Sequence, residues 1–141
     1  MYELSWRRKR ELSEYMLNLA KKELEEGMYE MAALHASLAL ETYLRSMIER
    51  LRGRSIKRKG LSDLWFELTF TLTLWEGFRG YSGLFEDLYT NNSQLFEFME
   101  EILESTIGEI DVGKKNSKEI IKLVEKVFDR LDVVVSEVWP S

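Results

Sequence analysis

The run Gly27-Met-Tyr-Glu-Met-Ala-Ala-Leu-His-Ala-Ser-Leu-Ala-Leu-Glu-Thr-Tyr-Leu-Arg45 limits what this chain can fold into more than any other segment. At about 100° per residue, Tyr29, Ala32, Ala33, Ala36, Ala39, Leu40, Tyr43, Leu44, Met47 and Leu51 fall on one broad apolar arc, while Glu30, Ser37, Glu41, Arg45 and Arg52 fall opposite. That pattern predicts a long helix at the centre of a bundle, its alanines letting neighbouring helices approach closely. Glu41, Arg45 and Glu49 follow one another at i,i+4 steps, which predicts an exposed stripe supported by a few tenths of a kcal/mol per pair.

The rest of the chain also reads as helix. Residues 4–26 form a first segment with Leu12, Met16, Leu19 and Ala20 on one face, a charged end at Lys21, Lys22, Glu23, Glu25 and Glu26, and a break at Gly27. The second helix runs from Tyr29 to Arg52, with Gly53 as its stop, and a basic loop follows from Arg54 to Gly60. From Leu61 two periods compete. Leu61, Leu64, Trp65, Leu68, Leu72 and Trp75 have helical spacing, whereas Phe66, Leu68, Phe70, Leu72 and Leu74 alternate with Glu67, Thr69, Thr71 and Thr73 as in a strand. A strand needs a partner strand, and no other segment alternates comparably, so a helix is expected. Gly77–Gly83 reads as a flexible connection, Leu84–Tyr89 as a short helical turn, and Thr90-Asn-Asn-Ser93 as caps for a helix through about Ile107. Asn116 with Glu119 forms a capping-box-like start for a last helix in which Ile120, Val124, Val127, Leu131, Val134 and Val138 keep helical spacing, and Pro140 cannot extend it. Without βαβ alternation, these segments predict one all-α domain over residues 1–141: an antiparallel four-helix up-and-down bundle with one or two additional short helices.

Composition narrows the chemistry. With 141 residues, 45% of them hydrophobic, the chain can bury a sizeable core. The absence of cysteine excludes disulfides, thiol catalysis and thiolate zinc sites, and a single histidine excludes a two-histidine metal site within one chain. No apolar run resembles a signal peptide or approaches the roughly 18 residues of a membrane span, so a cytoplasmic protein without membrane contact is expected. The net charge of −5 divides unevenly: residues 1–60 carry 13 Lys/Arg against 9 Asp/Glu, or +4, and residues 61–141 carry 7 against 16, or −9. Such a dipolar surface can orient two copies or hold a charged partner, or can be an ordinary solvated surface.

Arg50, Arg52, Arg54, Lys57, Arg58 and Lys59 form the densest charge cluster, and with Arg7, Arg8, Lys9 and Arg10 they make a patch if the two segments meet. Arginine grips phosphate bidentately, so the cluster suits sequence-independent binding of RNA or of a nucleotide's phosphates; the plainer reading is a solvated loop. His35 lies on a seam with Ala39, Thr42 and Ser46, either as a nucleotide or partner contact across a dimer or as a hydrogen-bonded, partly buried histidine. The aromatic middle, Trp65, Phe66, Phe70, Trp75, Phe78, Tyr81, Phe85 and Tyr89, has Glu67, Glu76, Glu86 and Asp87 around it, which would repel phosphate; core or dimer interface is expected. Glu97, Glu100, Glu101 and Glu104 share helical spacing near Glu109 and Asp111 and read as a solvated acidic face, so no metal and no cofactor is expected.

The order of these features, a helix, Gly-x-Tyr, an Ala-rich helix carrying His-Ala-x-x-Ala-x-Glu-x-Tyr-Leu-Arg, a basic loop and an amphipathic closing helix, resembles the HEPN domain family of bacteria and archaea. The resemblance is best over residues 6–72 and beyond Trp75 rests on length and the helix at Ser117–Trp139. It implies a four-helix up-and-down bundle with extra short helices that commonly dimerises. Some members are metal-independent endoribonucleases whose centre forms across the dimer from an Arg followed four to six residues later by His; others accompany a minimal nucleotidyltransferase or lack catalysis. This chain departs at that motif, since its only histidine, His35, has no arginine four to six residues upstream, and no catalytic residue is assigned. The expectation is therefore a non-catalytic, dimeric binding module in an RNA- or nucleotide-related system of the toxin–antitoxin or nucleotidyltransferase-associated kind. The alternatives are a diverged ribonuclease acting through the basic loop and His35, and a purely structural oligomerisation protein.

Overall fold

The alanine-rich segment forms a helix with the expected bounds, and the other elements pack around it. The computed structural model describes residues 2–57, 59–74, 80–105 and 109–138, which form helices α1 (Tyr2–Glu25), α2 (Tyr29–Arg52), α3 (Leu61–Thr73), α4 (Ser82–Thr90), α5 (Ser93–Glu104) and α6 (Lys114–Val138), with no strand among them. Trp75, Phe78, Arg58, Pro140 and the 77–79 part of the expected connection lie outside the described residues.

Glycine marks both ends of the central hairpin's second helix. Gly27 takes φ +80° and sits in a Schellman turn, with Gly27 N–H donating to Leu24 O at 3.2 Å and Met28 N–H to Glu23 O at 2.9 Å. Gly53, at φ +71°, closes α2 by donating to Glu49 O at 2.8 Å. The tight turn lays α1 against α2 in opposite directions, as the pairings Lys9–Glu49 and Glu23–His35 show.

Helix α2 is more deeply buried than its arc predicts. It packs against α1, α3, α5 and α6, so Ser37, Glu41, Ser46 and Glu49 are buried together with the alanines. The expected exposed stripe does not exist: the Glu49 side chain has 0% exposure and pairs with Lys9 of α1 at 2.8 Å instead of with Arg45. Ser37 tolerates burial because its hydroxyl donates to Ala33 O at 2.8 Å. The face of α1 also differs from expectation. Ser13, Leu17, Ala20 and Glu23 point inward while Leu12 is 50% exposed, because small side chains at 13 and 20 let α1 approach the alanine surface of α2.

Directions follow from pairs of contacts. Ser117 Oγ donates to Tyr29 O at 3.0 Å and Tyr43 OH to Asp132 Oδ1 at 2.7 Å, so α6 runs parallel to α2 and, as Lys21–Glu125 and Arg10–Asp132 show, against α1. The basic loop doubles back along α2, pinned where Arg45 Nη2 donates to Ile56 O at 3.2 Å. Arg52 then meets Glu67 and Thr71, so α3 follows the direction of α2. α5 runs against α3, with Glu100 beside Ser62 and Phe96 against Trp65.

The helical period wins in α3. Leu61, Leu64, Trp65, Leu68 and Leu72 are buried, and the members of the competing alternation that break this spacing, Phe66, Phe70 and Leu74, are exposed. Capping departs from expectation twice. Asn92 makes no side-chain cap to α5; its Nδ2 donates instead to Leu88 O at 2.9 Å, serving the end of α4. α6 begins at Lys114, ahead of the Asn116–Glu119 pair, and Ser117 lies inside its first turn, held to α2. The apolar residues join in one core cluster reaching from Leu17 to Val135.

Candidate nucleic-acid interface

The antiparallel α1–α2 hairpin brings the two basic segments together, because the first turns of α1 lie beside the last turns of α2. Trp6 marks the junction: the Arg50 guanidinium carbon lies 4.6 Å and that of Arg7 5.3 Å from its ring centre. Burial, and then the neighbouring charge of Arg7, hold the Arg50 pKa below the ordinary arginine value. The carbonyl end of α2, with Arg50 and Arg52 in its last turn, favours that positive charge.

Not every basic residue reaches this surface. Lys9 is tied to buried Glu49. Arg10 forks onto Asp132, Nε to Oδ1 at 3.3 Å and Nη2 to Oδ2 at 2.6 Å, and its guanidinium lies 4.9 Å from the Tyr43 ring centre and 5.1 Å from that of Phe128. Tyr43 donates to the same carboxylate and stacks on Phe128 at 4.2 Å, so one carboxylate ties α1, α2 and α6 together. Burial and the charge of Asp132 push the Tyr43 pKa well up; for Arg10, burial works downward but the bond and charge of Asp132 outweigh it, and its pKa is raised. The cluster is a fixed structural brace rather than a binding surface.

In the loop, Arg52 Nη1 donates to Glu67 Oε1 at 2.5 Å and its Nε to Thr71 at 3.0 Å, while Lys59 Nζ lies 2.8 Å from Glu67 Oε2. Glu67 thereby neutralises two of the six candidate cations. Burial acts to raise its pKa, but the hydrogen bonds from Lys59 and Arg52 prevail and hold it below the usual carboxylate value. A depressed pKa in the folded state contributes stability above the unfolded pKa, and that contribution is lost as pH falls through the folded value. Glu67→Gln is therefore expected to unfold more easily than the parent at pH 7, by about 1–2 kcal/mol, and to match it near pH 3. Thermal unfolding followed by circular dichroism across that range checks it, and a pH-independent gap would show that charge is not the cause.

Arg7 and Arg50 lie about Trp6, and Arg8, Arg54 and Lys57 are exposed. Among the described residues, none of Arg8, Arg54 and Lys57 forms an ion pair. The expected seam is placed differently. His35 Nδ1–H donates to Glu23 Oε1 at 2.6 Å at the opposite end of the hairpin, Ser46 is buried with its hydroxyl on Tyr43 O at 2.8 Å, and Thr42 is half-buried. On the acidic helix Glu100 accepts from Ser62 N–H at 2.5 Å, and no group of three potential metal ligands occurs among the described residues. The bracing residues Tyr43, Glu49, Glu67 and Asp132 were not among the candidates; Asp132 lies 122 residues from Arg10, and no local pattern links them.

A family model, the HEPN domain, matches residues 6–134. The chain belongs to the HEPN domain family. The match extends into α6, past residues 6–72 where the sequence resemblance is best, and HEPN domains are generally RNA-related, often as ribonucleases or in toxin–antitoxin systems, and commonly dimerise. No curated protein and no solved structure matches this HEPN chain significantly. Among its described residues no helix is long and apolar enough to cross a membrane.

Proposed function

We propose that this HEPN domain is a non-catalytic, dimeric module that binds RNA through phosphates, without reading sequence. The observation that carries it is that the carboxylates Glu49, Glu67 and Asp132 are each engaged by Lys9, Arg52, Lys59 or Arg10, while Arg8, Arg54 and Lys57 are exposed and form no ion pair among the described residues. Cations without carboxylate partners release counterions when they meet a phosphate chain, and such contacts carry no base information. The antiparallel pairs α1–α2, α1–α6 and α3–α5 support an up-and-down helical arrangement within one domain, with α6 packed on α2 in parallel.

The catalytic alternative needs His35 and the basic loop to act together. Within one copy the Nδ1 of His35 is already bound to Glu23, and Arg50 lies about 22 Å from it along α2. Single-stranded RNAs of unrelated sequence are expected to bind with affinities within about threefold of each other, falling steeply with salt, and to stay intact during incubation without metal. Binding insensitive to salt would remove the phosphate reading, and cleavage abolished by His35→Ala would replace it with the diverged ribonuclease. Co-purification from a lysate of the native host tests for the minimal nucleotidyltransferase partner that the family resemblance implies.

A further inference from the structure

The cations between Arg50 and Lys59 are not equally available to a ligand, and one residue of α3 makes the difference. The chain leaves α2 at Gly53 and is held against that helix where Arg45 Nη2 donates to Ile56 O at 3.2 Å. Lys59 thereby returns to the side of Arg52, and α3 presents Glu67 to both: Oε1 accepts from Arg52 Nη1 at 2.5 Å, and Oε2 lies 2.8 Å from Lys59 Nζ. The three side chains differ in cover. Those of Glu67 and Arg52 are 16% and 21% exposed, whereas that of Lys59 is 41% exposed. Arg52 also has a second anchor, its Nε donating to Thr71 Oγ1 at 3.0 Å. Lys59 holds Glu67 through an ammonium on a flexible stem, and an ammonium–carboxylate pair as open as this one is held weakly.

We propose that Glu67 is a built-in competitor of the RNA backbone: it occupies Arg52 and Lys59 in the free protein and gives up Lys59 first, then Arg52, to phosphates. The inference rests on the phosphate reading of the basic residues and adds the regulation of that same site. Arg54 follows Arg52, and Lys57 precedes Lys59, by two residues each, at most about 7 Å of chain, so a backbone seated on the two exposed cations passes beside the two held ones. A phosphate offers Arg52 and Lys59 the same kind of charged acceptor as the carboxylate, so the cations lose little by the exchange. Glu67 bears the cost. Burial acts against its charge and the two cations offset that, so a Glu67 deserted by them is left charged and poorly solvated, and this penalty opposes each further phosphate contact. Asp63, one turn earlier on α3, lines the same surface as Lys59 and Glu67 but forms no ion pair among the described residues, so it acts on a phosphate only through space.

Fluorescence anisotropy with a labelled single-stranded oligouridylate reads the competition. Glu67→Gln, which keeps the size of the side chain and removes its charge, is expected to bind about tenfold more tightly than the parent near 0.1 M salt, with a log–log salt slope steeper by about 1.4, as two further contacts to a single strand require. Lys59→Ala, nearly silent in the parent, is expected to weaken binding about fivefold in the Glu67→Gln background. Asp63→Asn removes the same charge without releasing a cation and should tighten binding by less than about twofold. Circular dichroism at the assay temperature checks that Glu67→Gln is folded. Glu67→Asp, which retains the charge but draws it back from the cations, is the second variant and should bind about threefold more tightly than the parent. Equal affinities of parent and both Glu67 variants, with the parent still salt-dependent, overturn the competitor and leave the phosphate reading standing. Equal tightening by Asp63→Asn and Glu67→Gln, or the same cost of Lys59→Ala in both backgrounds, also overturns it, because the effect is then one of net charge. A parent that binds no RNA, or binds it without salt dependence, overturns both readings.

Discussion

Trp65→Ala is expected to destabilise the protein by about 3–5 kcal/mol and to lower its melting temperature by roughly 10–15 °C, the largest effect of any single truncation in α3. The indole is 1% exposed and joins three helices: its ring centre lies 5.9 Å from Phe85 of α4 and 5.3 Å, edge-on, from Phe96 of α5. Removing it leaves a cavity among Phe85, Tyr89 and Phe96, and the ring pairs lose their favourable geometry as well as their buried area. The neighbouring residue gives the contrast. Phe66→Ala, at 53% exposure, should cost well under half as much, about 1–1.5 kcal/mol, since more than half of its surface stays in water. Urea unfolding of both variants, followed by circular dichroism, checks the pair, and equal losses would mean that α3 is rotated from the face described.

Replacing Arg8, Arg54 and Lys57 together by Ala is expected to weaken single-stranded RNA binding about a hundredfold near 0.1 M salt and to flatten the log–log salt slope by about 2, as the loss of three phosphate contacts requires. All three side chains are exposed, so the variant should fold as the parent does. Lys59→Ala is the informative control. Lys59 belongs to the same run of cations in the sequence, but its ammonium sits 2.8 Å from Glu67, and its loss should change the affinity by less than about twofold. If Lys59→Ala weakened binding as much as the triple variant did, the loop would bind through its total charge, and the division of the basic residues made by Glu67 would have no functional meaning.

That division could not have been read along the chain. Arg52, Arg54, Lys57 and Lys59 are chemically alike and nearly adjacent; which of them stays open to a ligand depends on Glu67 arriving beside two of them, and this requires the loop to double back along α2 and α3 to follow α2's direction. The sequence by itself did determine the elements. Gly27 and Gly53 bound α2 because only glycine takes their left-handed backbone without strain, and the helical spacing of Leu61, Leu64, Trp65, Leu68 and Leu72 decides α3 because a lone alternating strand would have no partner for its backbone. The family, too, was legible from the Gly-x-Tyr turn and the small residues of α2, whose pattern is local. Tertiary structure decided which face of each helix is inside and what each charge touches. Leu12 is outside and Ser13 inside because close approach to the alanines of α2 favours the smaller side chain, and Glu49 is buried because Lys9 reaches it from another helix. Periodicity is a property of neighbours three and four residues apart; burial and pairing depend on surfaces contributed by residues as distant as Arg10 and Asp132, which meet only when the chain has folded.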